Sequence, residues 1–167
     1  MSRAAIAIAA LLGASACGPP PMPASVGHPL SGATAPEFHE MATNSWDVGL
    51  PGGPRTKVTV VDFWASWCEA CQLSLPALEK LWHDRQDDGV MVIGVSVDKT
   101  TEDATSRLNE LHATFPVVVD PRMNIAGRYR VAQIPLTFVI DGHGAVRWVG
   151  RDPGEMRQAV EAVLGER

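Results

Sequence analysis

The segment from Val58 to Cys71 reads VTVVDFWASWCEAC, and it decides the fold. Its first eight residues are mostly apolar and rich in β-branched side chains, which is typical of a strand buried on both faces. Two cysteines separated by two residues follow where this strand passes into a helix. We predict that helix from about Cys68 to Asp87, because apolar side chains recur there at helical spacing, and we expect Pro76 to kink it.

Strands and helices alternate along the rest of the domain, which we place at residues 36–167. A second buried strand is predicted over 90–97, followed by a helix with Thr100 at its start. A turn at 141–144 joins two later strands as a hairpin, and the last helix begins after Asp152. This order predicts an α/β domain of three layers, with a mixed central sheet and helices on both faces.

Composition narrows the class of protein. The 167 residues leave room for one ordinary domain, and 46% hydrophobic with 20% charged residues is close to a globular average. The net charge of −5, from 14 basic and 19 acidic residues, gives no electrostatic support for nucleic-acid binding. No apolar run reaches the roughly 20 residues of a membrane-spanning helix. We expect a monomer without a nucleic-acid partner.

The start of the chain has the pattern of an export signal, which we place at residues 1–16. A basic start and an apolar run lead to small residues suited to cleavage. Cys17 follows directly, and residues 12–17 resemble a bacterial lipobox, whose cysteine becomes a lipid anchor; plain cleavage leaves a free thiol instead. Residues 17–35, rich in Pro and Gly, are predicted to be a flexible tether. We expect a location in the bacterial cell envelope, in the periplasm, held on a membrane.

The cysteine pair carries the predicted chemistry. Backbone N–H groups at a helix N-terminus favour an anion, so a thiolate there has a pKa below the value of about 8.5 of free cysteine. Cys68, outermost in the first turn, is predicted to attack disulfides, because only the thiolate does so. Cys71, one turn further in, is predicted to be the resolving sulfur. The pair works through its own reversible disulfide, and we expect no other cofactor.

A zinc site and a purely structural disulfide are the two alternatives to a redox-active role for this cysteine pair. Structural zinc needs four ligands, whereas the third cysteine lies in the export segment and no suitably spaced histidine pair follows. We therefore expect no metal site. A structural disulfide here would close a loop of only a few residues, and such short loops give the least stabilisation.

Residues 61–71 resemble the active-site segment of thioredoxin-fold proteins, and Pro76 matches the proline of their kinked helix. Three further stretches, at 35–38, 115–120 and 134–142, resemble one branch of that fold, the exported, membrane-tethered TlpA/ResA-like proteins. The resemblance covers about residues 35–167. It implies a thioredoxin-like fold and an extracytoplasmic thiol-disulfide oxidoreductase that reduces disulfides in client proteins. It also suggests a membrane thiol electron donor.

The resemblance implies roles for residues around the dithiol. Pro135 would be the cis-proline facing the cysteines, and the backbone of Ile134 would then pair with an extended substrate. Asp62 would lie beneath the dithiol, where burial raises the pKa of its carboxyl and lets it accept the proton of Cys71. A hydrogen-bonded structural acid is the alternative for Asp62. Trp67 is expected to cover the site.

Residues between the cysteines are expected to tune the redox potential. Glu69 is an acid commonly seen there in the family, whereas Ala70 stands where the family often has proline. Ser74 replaces a carboxylate that many relatives carry three residues after the second cysteine. These departures argue against carrying over the apocytochrome c role associated with parts of the branch.

Two other functions remain as alternatives on the same fold. A tethered copper chaperone would use soft thiolates to select Cu(I), but such proteins typically have three residues between the cysteines and a distant histidine. A thiol peroxidase normally needs a lone peroxidatic cysteine with Thr and Arg nearby. The C-x-x-C pair favours the oxidoreductase over both.

Overall fold

The computed structural model describes residues 18–166, which form seven strands and four α-helices. The predicted signal 1–16, Cys17 and Arg167 lie outside the described residues. The strands are β1 Phe38–Met41, β2 Asp47–Leu50, β3 Val58–Trp64, β4 Val90–Ser96, β5 Val117–Val119, β6 Leu136–Asp141 and β7 Val146–Gly150. The helices are α1 Cys71–Arg85, α2 Thr101–Glu110, α3 Asn124–Arg128 and α4 Pro153–Gly165, with a 3₁₀ turn at Gln86–Asp88.

Five of the strands form one mixed sheet in the order β5-β4-β3-β6-β7. Strands β3, β4 and β5 run parallel, whereas β6 runs antiparallel to β3 and β7 antiparallel to β6. The other two strands, β1 and β2, pair as an antiparallel hairpin. Strand β3 is central and buried along its whole length. Because neither of its faces meets solvent, its sequence is mostly apolar on both. The predicted fold class is confirmed.

Side chains of β3 alternate between two cores, one on each face of the sheet. Val60 and Trp64 point to the core that contains apolar residues of α1, α2 and α4. Val61 and Phe63 point to the opposite core, where α3 and the β1–β2 hairpin pack. Because successive residues of a strand face opposite sides, Asp62 lies on the same face as Val60 and Trp64, under α1.

Two helix starts agree with the sequence signals. The hydroxyl of Thr100 accepts a hydrogen bond from the backbone N–H of Asp103 at 3.1 Å and caps α2. The carboxylate of Asp152 accepts from the N–H of Glu155 at 2.8 Å and caps α4, with Pro153 as the first helical residue. Within residues 18–166, no helix is both long enough and apolar enough to cross a bilayer.

The predicted start of α1 at Cys68 is wrong by three residues. The helix begins at Cys71, and Ala70 is its N-cap. A tighter turn of the 3₁₀ type lies ahead of the helix. In it the N–H of Cys71 donates to the carbonyl of Cys68, and the N–H of Gln72 donates to the carbonyl of Glu69, both at 3.1 Å. Cys68 therefore precedes the first helical turn instead of belonging to it.

The segment expected to be a flexible tether is held against the domain in its described part. The N–H of Val26 donates to the carbonyl of Val149 at 2.8 Å, and the indole N–H of Trp148 donates to the carbonyl of Ala24 at 3.2 Å. The His28 ring packs edge-on against Phe138, with ring centroids 5.1 Å apart. Strand β7 is the last strand of the sheet, so this segment satisfies hydrogen bonds at an edge that would otherwise be open. The domain division at residue 35 stays a prediction.

Candidate active site

The two cysteines lie in the turn that follows the central strand β3. Cys68 and Cys71 are joined by a disulfide, with their Cα atoms 5.3 Å apart. The two residues differ in access, because Cys68 is 7% exposed whereas Cys71 is completely buried. A partner molecule can therefore approach Cys68 and not Cys71.

Cys68 receives a hydrogen bond from the start of α1. The backbone N–H of Cys71, the first helical residue, donates to Sγ of Cys68 at 3.2 Å. An N–H group at a helix N-terminus stabilises negative charge on the sulfur it faces. The electrostatic argument made for Cys68 from the sequence applies here, although Cys68 precedes the helix.

A buried carboxylate holds the loop that carries the first cysteine. Asp98, 1% exposed, lies just after β4 and accepts from the N–H of Ser66 at 2.9 Å and from its hydroxyl at 2.8 Å. The hydroxyl of Ser96 donates to the same carboxylate at 2.7 Å. These bonds tie the loop after β3 to the end of β4. Sequence reasoning missed Asp98, since nothing local to it indicates a partner 32 residues away.

Asp62 lies on β3 under α1 and is completely buried. Its Oδ1 accepts a hydrogen bond of 2.6 Å from the hydroxyl of Thr137, which is its register partner on β6. Its neighbour on β4 is Gly94, which adds no charge. Its other oxygen, Oδ2, has no hydrogen-bond partner among the described residues.

Burial raises the pKa of the Asp62 carboxyl from 3.8 to about 7, and the hydrogen bond from Thr137 opposes part of this rise. A carboxyl with such a pKa is populated in both protonation states near neutral pH, so it can take up and release a proton there. Thr137 was also missed from the sequence, because its position opposite Asp62 depends on the register of two strands 75 residues apart.

The Ile134–Pro135 peptide bond is cis, as the resemblance implied. Pro135 directly precedes β6, and β6 pairs with β3 up to Phe63, near the end where the cysteines follow. Among residues 18–166, no backbone hydrogen bond involves Ile134. Its backbone is therefore available to an added strand.

An apolar groove of about 680 Å³ borders the dithiol. Trp67, Ala70, Ile134 and Pro135 line the part of it nearest the cysteines. Trp67 is 71% exposed, so its side chain forms one wall of the groove and does not close it. Glu69 is exposed between the cysteines, and Ser74 is buried with its hydroxyl donating to the carbonyl of Cys71 at 3.1 Å.

The structure thus brings six of the predicted site residues to one end of the sheet: Cys68, Cys71, Pro135, Trp67, Ile134 and Ala70. Asp62 lies on β3, on the face of the sheet that α1 covers, and Glu69 is exposed between the cysteines. Cys17 lies outside the described residues. In the described range 18–166, no group of three or more His, Cys, Asp or Glu side chains is placed to hold a metal ion.

The protein has a mixed sheet with helices on both faces. A C-x-x-C disulfide follows the central strand β3, and a cis-proline precedes the adjacent strand β6. These features define a thioredoxin-fold protein with a redox-type cysteine pair. Comparison with family models gives the family itself: residues 31–149 match the AhpC/TSA family. The match covers more than half of the chain, and the protein belongs to this family.

Similar proteins are named as thiol-disulfide oxidoreductases. ResA from Bacillus thuringiensis (strain Al Hakam) is 29% identical over 112 residues, which cover 67% of this chain and 57% of that protein. DsbE, a thiol:disulfide interchange protein from Xylella fastidiosa (strain 9a5c), is 33% identical over 130 residues, or 77% of this chain and 62% of that protein. The chain thus spans little more than half the length of these relatives.

Solved structures agree with the fold. The crystal structure of a Chlorobium tepidum protein assigned as the thiol:disulfide interchange protein DsbE superposes with a TM-score of 0.72 at 31% identity. The superposition covers 81% of this chain and 98% of that one. The similarity therefore extends over nearly the whole of a related domain.

The raised pKa of Asp62 predicts a particular dependence of stability on pH. Between pH 3.8 and about 7 the folded state holds this proton and the unfolded chain does not, so the free energy of unfolding falls as pH rises through this range. A rise from 3.8 to about 7 corresponds to about 4 kcal/mol. In Asp62→Asn we expect the free energy of unfolding not to fall in this way. Urea denaturation of the oxidised proteins should then show the variant to be more stable than the wild type, by up to that amount, at alkaline pH.

The control is Asp87→Asn, which changes an exposed carboxyl. Its free energy of unfolding, plotted against pH, should run parallel to that of the wild type across the same range. If the curves of Asp62→Asn and the wild type are also parallel, Asp62 is not a buried carboxyl of raised pKa.

Proposed function

We propose that the protein is a thiol-disulfide oxidoreductase that reduces disulfides in client proteins through Cys68 and Cys71. The unequal access of the two sulfurs carries the proposal, together with the N–H of Cys71 directed at Sγ of Cys68. An enzyme of this type needs one ionised sulfur that clients can reach and a second that they cannot. The names of the relatives support the same activity.

In the first step, the Cys68 thiolate attacks one sulfur of the client disulfide. The client S–S bond breaks, a mixed disulfide between Cys68 and the client forms, and the second client sulfur leaves as a thiolate that takes a proton from water. The groove beside Trp67 and the open backbone of Ile134 are suited to hold the client segment during this exchange.

In the second step, Cys71 resolves the mixed disulfide. Asp62 takes the proton of the Cys71 thiol, and the resulting thiolate attacks Sγ of Cys68. The bond between Cys68 and the client breaks, and the client sulfur that Cys68 had attacked leaves as a thiolate and takes a proton from water. The client has then gained two electrons, and the protein holds the Cys68–Cys71 disulfide. Thr137 holds Oδ1 of Asp62 and leaves Oδ2 to receive the proton.

A further cycle requires the protein to be reduced again. A thiol electron donor must open the Cys68–Cys71 disulfide by the reverse exchange, and we propose a membrane protein for this role. The direction of electron flow, reduction of the client, follows the resemblance to the TlpA/ResA-like branch. Glu69 and Ala70 lie at the turn between the cysteines, where they influence the relative stability of thiolate and disulfide.

The proposed location is the periplasmic side of a bacterial cell envelope. Three sequence features support it: the signal pattern at 1–16, the lipobox-like residues 12–17 and the Pro-rich segment behind Cys17. A lipid on Cys17 would hold the protein on a membrane by burying acyl chains. Because the described part of the tether lies against the domain, such an anchor would keep the domain close to the membrane surface.

The division of labour between the cysteines is tested by serine variants in a Cys17→Ser background, which removes the third thiol. We expect Cys68→Ser to abolish disulfide exchange with insulin, because no accessible thiolate remains. Cys71→Ser should attack but not resolve, and mixed disulfides with insulin should accumulate on non-reducing gels and in intact mass spectra. Equal trapping by both variants would reverse or remove the assigned roles.

The role of Asp62 is tested by the rate of resolution from about pH 6 to 9. A general base contributes typically about 10²–10⁴-fold, so we expect Asp62→Ala to resolve mixed disulfides at least about tenfold more slowly at neutral pH. The difference should shrink toward pH 9, where hydroxide competes with Asp62 as the acceptor of the Cys71 proton. Asp87→Ala serves as the surface control. A rate unchanged by Asp62→Ala at every pH would leave Asp62 with a structural role only.

Lipidation is tested by the intact mass of protein isolated from the membrane fraction. We expect a mature chain that begins at Cys17 and carries acyl groups, and we expect Cys17→Ser to release the protein into the soluble fraction. A mature chain with an unmodified Cys17 would contradict the anchor and leave the exchange activity untouched.

A further inference from the structure

The groove beside the dithiol is apolar along its length. Beyond the residues near the cysteines, it is lined by Val97, Met123 and Val131, and Met123 is 45% exposed. A contiguous apolar patch on a protein surface marks a site for a partner or ligand, whereas single exposed apolar residues are common. An extended segment with apolar side chains fits a groove of this kind.

Positive charges border the groove and have no acidic partners. Lys99 and Arg151 line it, and Arg122 and Arg130 directly precede the lining residues Met123 and Val131. None of these four cations makes a salt bridge with another residue of the described range. Elsewhere on the domain, five cations are paired with carboxylates: Lys80, Arg85, Arg107, Arg147 and Arg157. Four cations without a carboxylate partner in the described range thus lie in or beside the lining of the groove, on a protein whose net charge is −5.

Acids close to these cations in the chain differ in exposure: Asp98 and Asp120 are buried, whereas Glu102, Asp152 and Glu155 are exposed. Asp120 accepts from three N–H groups at the start of α3, at 2.7 to 2.9 Å. Asp152 caps α4, and Asp98 is buried with Ser66. Glu69, exposed between the cysteines, is an acid at the dithiol end of the groove. Lys99 and Arg151 are both exposed and line the groove, so their charge is presented to solvent and to any bound segment.

We propose that this groove selects client segments in which acidic residues lie close to the apolar residues that flank the disulfide. The proposal rests on the proposed oxidoreductase function and adds the class of client. Apolar side chains of the segment would pack on Val97, Met123 and Val131, and its carboxylates would face Lys99 and Arg151. Opposite charges across such a contact raise the rate of association and discriminate against segments of the wrong charge.

A second copy of the chain does not satisfy this surface. In a symmetric dimer built on the groove, the same patch would meet itself, which would bring Lys99 and Arg151 toward the same residues of the partner. Like charges that face each other across an interface are unfavourable. The charge pattern therefore favours an acidic client over self-association.

The test uses two peptides with the same apolar residues around one disulfide, flanked by Glu in one and by Lys in the other. We measure the second-order rate at which the reduced full-length protein reacts with each. At about 0.02 M salt the Glu peptide should react about tenfold faster, in line with electrostatic steering. At about 0.5 M salt the ratio should approach one, because screening shortens the range of charge interactions to a few ångströms. A ratio near one at low salt would overturn the proposal.

Charge-reversed variants locate the effect. The double variant Lys99→Glu, Arg151→Glu should prefer the Lys peptide, and the preference is a ratio within one variant, so a change in overall activity does not alter it. The matched control Arg55→Glu, Lys57→Glu carries the same change in net charge just before β3, at the end of that strand opposite the cysteines, and should keep the wild-type ratio. If the control shifts the ratio as much as the groove variant, the selection comes from overall charge and the proposal is wrong.

Failure of the proposed function gives a different result. Reduction of the small neutral disulfide 2-hydroxyethyl disulfide by the wild type reports on Cys68 and Cys71 without the groove. If the wild type reduces it and shows no charge preference among peptides, only the client class is wrong. If the wild type reduces neither it nor the peptides, the oxidoreductase function itself fails.

Discussion

One hydrogen bond places the chemistry of this protein: the N–H of Cys71 donates to Sγ of Cys68 at 3.2 Å. It requires the chain to turn sharply between the end of β3 and the start of α1, and the carboxylate of Asp98 holds that turn through Ser66. The more exposed cysteine, Cys68, therefore has its sulfur in the field of a helix N-terminus, while Cys71 begins the helix and is completely buried.

Asp62 shows how a fold that needs apolar strands can still hold a carboxyl that titrates near neutral pH. A completely buried carboxylate destabilises the folded state, and the protein retains it with one hydrogen bond, from Thr137, and no cation beside it on β4. Because the charge is compensated so weakly, the carboxyl takes a proton at a pH where an exposed one would be ionised. The cost in stability and the proposed role in proton transfer have the same physical origin, which is burial of the carboxyl.

The surface around the dithiol combines two properties that act at different ranges. Apolar contacts along the groove act only once a segment is bound, whereas the cations at Lys99 and Arg151 act over about a Debye length in solution. A client that carries acids beside apolar residues would use both. The nearby carboxylates of Asp98 and Asp120 are buried, whereas Lys99 and Arg151 are exposed to solvent.

Local patterns in the sequence were enough to predict the α/β class, the strand before the cysteines and the helix after them (though not where that helix starts), and the starts of α2 and α4. These features depend on residues close together in the chain: the apolar run of β3, the caps at Thr100 and Asp152, and the C-x-x-C spacing. The resemblance to thioredoxin-fold proteins added the position of the cis-proline.

The tertiary structure decided what depends on residues far apart in the chain. Strand register set Thr137 opposite Asp62, and the neighbouring end of β4 brought Asp98 to Ser66. The edge of β7 offered hydrogen bonds to a segment whose composition predicted a loose chain. Composition indicates the conformation that a segment adopts by itself. It does not show which open sheet edge or unpaired hydrogen-bond donor will contact that segment in the folded domain.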